Sequence, residues 1–222
     1  MSLSPTDLDA LKPRLHSAVL SDMLDALGHR EQAMRPFVRP LNETDIVFGP
    51  ARTGLFMPRY GVEPGENPYE IEIELIDDLR PGDVPVFACG GPTETITPWG
   101  ELLTETARAR GANGFVTDAL VRDVRAIRAL GFPVFQGGIG PLDSAGRSKM
   151  MQRDVTVECA GVRIESGDFV FGDVDGVIVL PAELAERAID AALTKIEGEN
   201  RVRDAIRAGA TLGEVYARYG VL

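Results

Sequence analysis

Between residues 84 and 136 short apolar stretches alternate with helical ones, and glycine or proline marks nearly every join. The spacing predicts a buried strand over 84–89, a helix over 100–110 ended by Gly111, and a strand over 115–121. A helix over 124–130 ended by Gly131 and a strand over 133–136 follow. This succession constrains the fold more than any other feature. Hairpin turns cannot join parallel strands, and a helical crossover is the usual connection between them. The chain is therefore expected to be an α/β protein.

The flanks add other elements. Two helices are expected over 6–15 and 17–27, the second capped by Ser17 and apolar at Val19, Met23, Leu24 and Leu27. A strand with turn punctuation is expected over 45–55, and a polar loop over 61–68. The stretch 69–79 mixes acidic and apolar residues and ends in the turn Arg80-Pro81-Gly82-Asp83. Residues 90–98 and 137–147 read as glycine-rich loops. Short hairpin strands are expected over 155–159, 162–164 and 169–171, a tight turn at Asp173-Val174-Asp175-Gly176, and an apolar strand over 177–180. A long helix then runs from Pro181 to about Arg207, and a short one spans 212–219. No repeat or linker divides the sequence, so one compact mixed domain over 1–222 is the simplest organisation.

Composition narrows the chemistry. The 222 residues carry a net charge of −11, and an acidic globule repels phosphate backbones, so no nucleic-acid partner is expected. No apolar run approaches the ~18 residues of a membrane span, and no membrane role is expected. The first fifteen residues lack the basic and apolar regions of a signal peptide. Cys89 and Cys159 lie in no paired motif and read as small core residues of a reduced, cytoplasmic protein. Only His16 and His29 are present, too few for a three-histidine zinc site. Lys12, Lys149 and Lys195 all lie outside apolar strands, where a Schiff-base lysine would be expected. Carboxylates and arginines remain to do any chemistry.

One constellation stands out. Trp99-Gly100-Glu101-Leu102-Leu103 opens a predicted helix, and Val121-Arg122-Asp123 follows a predicted strand. In α/β folds ligands gather beyond the carboxyl ends of strands, where helix N-termini point. Asp123 and Glu101 can hold a hard divalent ion, Mg²⁺ or Mn²⁺. Arg122 offers a fork for a substrate carboxylate, and the N–H groups near Gly100, Leu102 and Leu103 can meet an anion. A small 2-oxo acid suits such a set. Each residue also has a plain structural use: Glu101 as compensation of the helix dipole, Arg122 and Asp123 as a solvated or paired loop. Other polar residues stay open in the same way. Arg52 either points to the cleft or pairs with one of the many acids. The loop segment Asp143-Ser144-Ala145-Gly146-Arg147 either meets a second substrate carboxylate or makes an internal Asx turn. Trp99 is expected to pack beside the site.

The order of these blocks resembles the RraA-like family. That family includes 4-hydroxy-4-methyl-2-oxoglutarate / 4-carboxy-4-hydroxy-2-oxoadipate aldolases and regulators of ribonuclease activity. The carrying segments are Trp99 to Leu103, Gly111 to Val116, Val121 to Asp123 and Gly131 to Phe135. Ser17 to Asp25, Gly172 to Val177 and Tyr219-Gly220-Val221-Leu222 extend the likeness over nearly the whole chain. The resemblance implies a β/β/α swivelling-type domain with mixed sheets and N- and C-terminal helices, assembled as a homotrimer or homohexamer. It implies a divalent-metal lyase that splits a 4-hydroxy-2-oxo dicarboxylic acid to pyruvate and a 2-oxo acid, and that also decarboxylates oxaloacetate. It places Asp123 on the metal and Arg122 on the pyruvyl carboxylate. Glu101 stands where the family has Asp, one methylene longer. A C-terminal acid reaching a neighbouring subunit's site matches Glu199, with Glu197 second. The alternative on the same scaffold is a non-catalytic regulator that binds a ribonuclease. A methyltransferase is disfavoured, because no glycine-rich cofactor loop precedes an acidic strand end.

Overall fold

The computed structural model describes residues 3–220; Val221 and Leu222, part of the resemblance, lie outside the described residues. The predicted crossovers form the middle of the molecule. Strand β2 (Val47–Pro58) lies parallel to β3 (Val84–Ala88), β3 to β4 (Phe115–Thr117), and β4 to β6 (Val134–Gln136). Helix α3 (Glu70–Asp77) connects β2 to β3, α4 (Glu101–Ala109) connects β3 to β4, and α5 (Val124–Leu130) leads to β6. The short strand β1 (Arg39–Pro40) closes one edge, antiparallel to β6.

Strand β2 is long enough to change partners along its length. Val47 to Pro50 pair antiparallel with β11 (Phe169–Asp173), which in turn pairs with β12 (Gly176–Leu180). Beyond Ala51 it faces β3 on one side, and its far end pairs with β8 (Ser148–Arg153) on the other. Gly49 lies where the chain crosses the turn before β3. A Cβ there would sit 2.0 Å from the Gly82 carbonyl oxygen, so only glycine fits. The hairpin β9 (Val157–Cys159) and β10 (Val162–Ile164) covers another part of the sheet. Buried Cys89 and Cys159 are free thiols, as expected.

Helices α1 (Pro5–Leu11), α2 (Ser17–Ala26) and α6 (Ala185–Arg207) share an apolar cluster with Phe48, Phe169, Phe171 and Leu180. Ser4 caps α1 through a reciprocal bond with Asp7, and Thr211 and Glu214 do the same for α7 (Leu212–Tyr219). Among the described residues no helix is long and apolar enough to cross a membrane.

Several expectations change. The first helix stops at Leu11, and Pro13 lies in a following 3₁₀ turn. Ser17 is the first residue of α2 rather than its cap. Its N–H and hydroxyl both donate to Asp173, at 2.9 and 2.6 Å, so a distant carboxylate caps this helix. Asp173 also accepts from the Asp175 N–H at 3.0 Å, which makes the expected turn. The long helix begins at Ala185, after a turn from Pro181 to Leu184. The stretch 69–79 contains the helix α3, and Ser148–Arg153 is a strand not foreseen. The expected strand 115–121 is broken. After β4, Asp118 and Ala119 turn the chain out of the sheet, and β5 (Leu120–Val121) pairs instead with β7 (Gly138–Ile139), inside the expected glycine-rich loop.

Candidate functional site

That break builds the site. The Thr117 hydroxyl donates to the Phe87 carbonyl and accepts from the Ala119 N–H, which fixes the turn. The chain then passes beside the start of α4. Trp99 and Val121 form a parallel bridge, and the Arg122 N–H donates to the Trp99 carbonyl at 3.0 Å. Trp99 is the anchor below. It is buried, stacks on Phe115 at 3.7 Å, and donates from Nε1 to the Thr104 hydroxyl at 2.8 Å. Such a stack adds about 1 kcal/mol beyond burial.

Asp123 then takes a left-handed backbone conformation (φ 57°) just before α5. A non-glycine residue there is uncommon, and such strain concentrates at functional positions. The turn brings its carboxylate to the N-terminus of α4, where Oδ2 accepts from the Glu101 N–H at 3.1 Å. Gly100 occupies the cap position of α4 with no side chain to cap it. A Cβ on Gly100 would sit 2.6 Å from Asp123 Oδ2, so the glycine leaves room for the borrowed carboxylate. Among the described residues, no hydrogen bond reaches Asp123 Oδ1 or the N–H groups of Leu102 and Leu103.

Arg122 stands next to this cap with its fork largely unspent. Its Nε is 3.6 Å from Asp123 Oδ2, and one terminal nitrogen is 3.6 Å from Asp143 Oδ1 and 3.4 Å from the Leu142 carbonyl oxygen. Asp143 in turn accepts from the Tyr69 hydroxyl at 2.8 Å. Burial opposes ionisation of Asp143, but the Tyr69 hydroxyl, the Ala145 N–H and Arg122 together hold it below the usual carboxylate range. Burial, reinforced by Asp143, pushes the Tyr69 hydroxyl up to about 12.

These groups line a cavity of about 610 Å³, together with Glu72, Thr97, Gly100, Glu101, Leu102 and Leu103. Five of the sequence-predicted residues around the α4 N-terminus, and Arg122 and Asp123 with them, thus meet in one place: Trp99, Gly100, Glu101, Leu102 and Leu103 all border it. Glu199 and Glu197 do not. Both lie on α6, where Glu199 pairs with Lys195 at 3.8 Å and Arg203 at 3.7 Å, outside this chain's cavity. Arg52 is elsewhere too, paired with Asp154, Asp78 and Asp83.

Tyr69, Glu72 and Thr97 were not anticipated. Glu72 is the most unusual of them. Only 3% of it is exposed, it has no hydrogen-bond partner among the described residues, and burial pushes its carboxyl up to about 8. Asp143 adds to that shift and Arg122 opposes it. A sequence signal existed: Glu72 stands three and four residues before Leu75 and Ile76, so it shares their buried helix face.

Among the described residues no three His, Cys, Asp or Glu side chains gather as a ready metal cage. Of the four carboxylates on the cavity wall, those of Asp123 and Glu101 belong to the two segments that meet at the N-terminus of α4. That set fits a hard cation that keeps most of its water, as Mg²⁺ and Mn²⁺ do.

Known proteins resemble this chain. A protein of Halalkalibacterium halodurans named "Putative 4-hydroxy-4-methyl-2-oxoglutarate aldolase" is 33% identical over 88% of this chain and 86% of its own length. Protein DlpA of Legionella pneumophila is 31% identical over 92% of this chain, which spans only 32% of that longer protein. The crystal structure of Streptomyces coelicolor RraAS2, described as an unusual member of the RNase ES inhibitor RraA family, superposes with a TM-score of 0.78. It is 28% identical, and the match covers 91% of this chain and 98% of that one. The RraA-like family model, described as Aldolase/RraA, matches residues 17–179, and the chain belongs to that family.

Proposed function

We propose that this chain is a divalent-metal-dependent lyase that releases pyruvate from a 4-hydroxy-2-oxo acid. One observation carries the reading: the Arg122 fork and the Asp123 carboxylate are held together at the N-terminus of α4 with donors and an acceptor oxygen still unused. Arg122 binds the carboxylate of the 2-oxo acid and orients it, and the Leu102 and Leu103 N–H groups favour negative charge beside it. A divalent ion, Mg²⁺ or Mn²⁺, held by Asp123 and Glu101 would supply Lewis-acid polarisation of the 2-oxo group. In the retro-aldol direction a carboxylate takes the proton of the C4 hydroxyl. The C3–C4 electron pair passes into the pyruvate enolate, the C4 carbonyl leaves, and C3 is then protonated. Loss of carbon dioxide from oxaloacetate reaches the same enolate. Glu199 lies outside its own chain's cavity, so its part in this chemistry needs a neighbouring copy, in a homotrimer or homohexamer.

The test is exchange of the pyruvate methyl protons with D₂O, followed by proton NMR, with Mg²⁺ or Mn²⁺ against EDTA. Exchange measures enolate stabilisation without requiring the natural substrate. Metal-dependent exchange that disappears in Arg122→Ala and Asp123→Ala is expected. Exchange no faster than with the metal alone would overturn the lyase reading and favour the protein-binding regulator.

A further inference from the structure

Arg122 is long and half-buried, and its aim is set from both ends. Nε lies 3.6 Å from Asp123 Oδ2. At the other end Nη1 donates to the Leu142 carbonyl at 3.4 Å and lies 3.6 Å from Asp143 Oδ1. Nη2 makes no hydrogen bond or ion pair among the described residues. An arginine side chain is rich in rotamers, so whatever holds it before a ligand arrives adds to binding. Asp143 is itself held. Its Oδ2 accepts from the Tyr69 hydroxyl at 2.8 Å, and its Oδ1 accepts from the Ala145 N–H at 3.4 Å, which makes the Asx turn. The N–H groups of Arg147 and Ser148 close the loop behind it, donating to the carbonyl of buried Ser144 at 2.9 and 2.8 Å. Tyr69 stands at the cap position of α3, where its own N–H donates to Asn67 Oδ1 at 3.0 Å. A hydroxyl on α3, a loop carboxylate 74 residues away and the arginine before α5 thus form one chain of contacts.

We propose that Tyr69 and Asp143 are positioning residues for Arg122: the hydroxyl fixes the carboxylate, and the carboxylate, with the Leu142 carbonyl, holds the Nη1 end of the guanidinium so that Nη2 is free for the carboxylate of a 2-oxo acid. The proposal rests on the reading of Arg122 as that acid's anchor. The cation and this pair act on opposite ends of the fork. An ion held by Asp123 and Glu101 would draw Asp123 Oδ2 away from Nε, leaving the Asp143 side as the remaining restraint. The hydroxyl matters because Asp143 could otherwise take the fork for itself. Asp154 does so with Arg52, bonding Nε and Nη2 at 2.7 and 2.9 Å. With Oδ2 engaged by Tyr69, Asp143 has only Oδ1 to offer and stays at the Nη1 corner. Burial, reinforced by Asp143, keeps the Tyr69 hydroxyl protonated and so a donor at neutral pH.

The concentration dependence of pyruvate proton exchange with Mg²⁺ tests this on the whole chain. A group that only holds pyruvate acts alike on the bound and the reacting state, so misplacing it raises the half-saturating concentration and spares the maximal rate. Tyr69→Phe is expected to raise half-saturating pyruvate about fivefold and Asp143→Ala about tenfold, with maximal exchange within about twofold of the parent. The double variant should be no worse than Asp143→Ala, because the hydroxyl acts only through that carboxylate. Calorimetric titration with pyruvate and Mg²⁺ should give the same order without turnover. A Tyr69→Phe variant that keeps its half-saturation overturns the proposal, even if Asp143→Ala fails to fold. So do two effects that multiply in the double variant. Tighter pyruvate binding by Asp143→Ala overturns it too, since the carboxylate would then be a competitor rather than a guide. Arg122→Ala separates the two readings. If it abolishes pyruvate binding while Tyr69→Phe and Asp143→Ala match the parent, the positioning role alone falls. If it binds pyruvate as the parent does, or the parent binds none, the anchor reading falls and takes the positioning role with it.

Discussion

Arg52 and Arg122 are both surrounded by aspartates, yet their surroundings differ in kind. Arg52 is spent. Its Nε and one terminal nitrogen bond both oxygens of Asp154 at 2.7 and 2.9 Å, Asp78 accepts at 2.9 Å, and only 14% of the side chain is exposed. Arg122 has two carboxylates at 3.6 Å and leaves 38% of its side chain open to a cavity. A guanidinium in a satisfied fork is a structural clamp, and removing it strands its partners. One held just beyond hydrogen-bond distance of its acids can close on a ligand at little loss. Partner distance, more than the number of acids nearby, separates a clamp from a binding group.

The largest effects should fall on opposite observables in these two regions. Arg122→Ala and Asp123→Ala are expected to reduce pyruvate proton exchange at least about 100-fold while moving Tm by less than about 2 °C. Arg52→Ala should do the reverse, lowering Tm by about 5 °C with exchange within about twofold of the parent. An Arg52 variant that lost exchange at unchanged Tm would erase the distinction. Gly100→Ala comes next. The added methyl would meet Asp123 Oδ2 at 2.6 Å, so the carboxylate must move off the α4 N-terminus. Exchange should fall about tenfold, with circular dichroism unchanged.

How much of this was legible depends on how far apart the partners lie in sequence. The crossovers were, because glycine stops and apolar periodicity are local. So was the approach of Glu101 to Arg122 and Asp123, since one helix and one strand return the chain to the same end. Arg52 was not, because Asp78 and Asp154 lie 26 and 102 residues away. Strand β8 carries Lys149, Gln152 and Arg153 and is a strand through its pairing with β2. The break after Thr117 depends on a hydroxyl bond to a neighbouring strand. In α3 the alternation Glu70-Ile71-Glu72-Ile73-Glu74 hides that the helix turns Glu72 inward, onto the face of Leu75 and Ile76.

The two regions should also respond at opposite ends of the pH scale. The Arg52 guanidinium holds Asp154 and Asp78 below the usual carboxylate range. Their contribution to stability is present above about pH 4 and lost as pH falls through their folded values. Glu72 behaves oppositely. Its ordinary value of 4.5 is raised to about 8, so its contribution is full below pH 4.5 and lost as pH rises through 8. In Tm scans the gap between parent and Arg52→Ala should close in acid. The advantage of Glu72→Gln over the parent should open between pH 4.5 and 8, by several degrees. A gap that stayed flat for Glu72→Gln would mean that the carboxyl ionises freely when folded.

The smallest expected effect sharpens the contrast within the site itself. Residue 101 serves Asp123 through its backbone N–H, which any residue but proline supplies. Its side chain is exposed and makes no hydrogen bond among the described residues. Glu101→Ala therefore keeps the borrowed cap and removes only the carboxylate, and Glu101→Asp pulls the oxygens back by about one bond length. If the carboxylate serves the cation, pyruvate exchange should fall about tenfold in Glu101→Ala and rise about threefold in Glu101→Asp, at unchanged Tm. Equal exchange in all three would assign residue 101 to the backbone alone and leave Asp123 as the side chain that holds the ion.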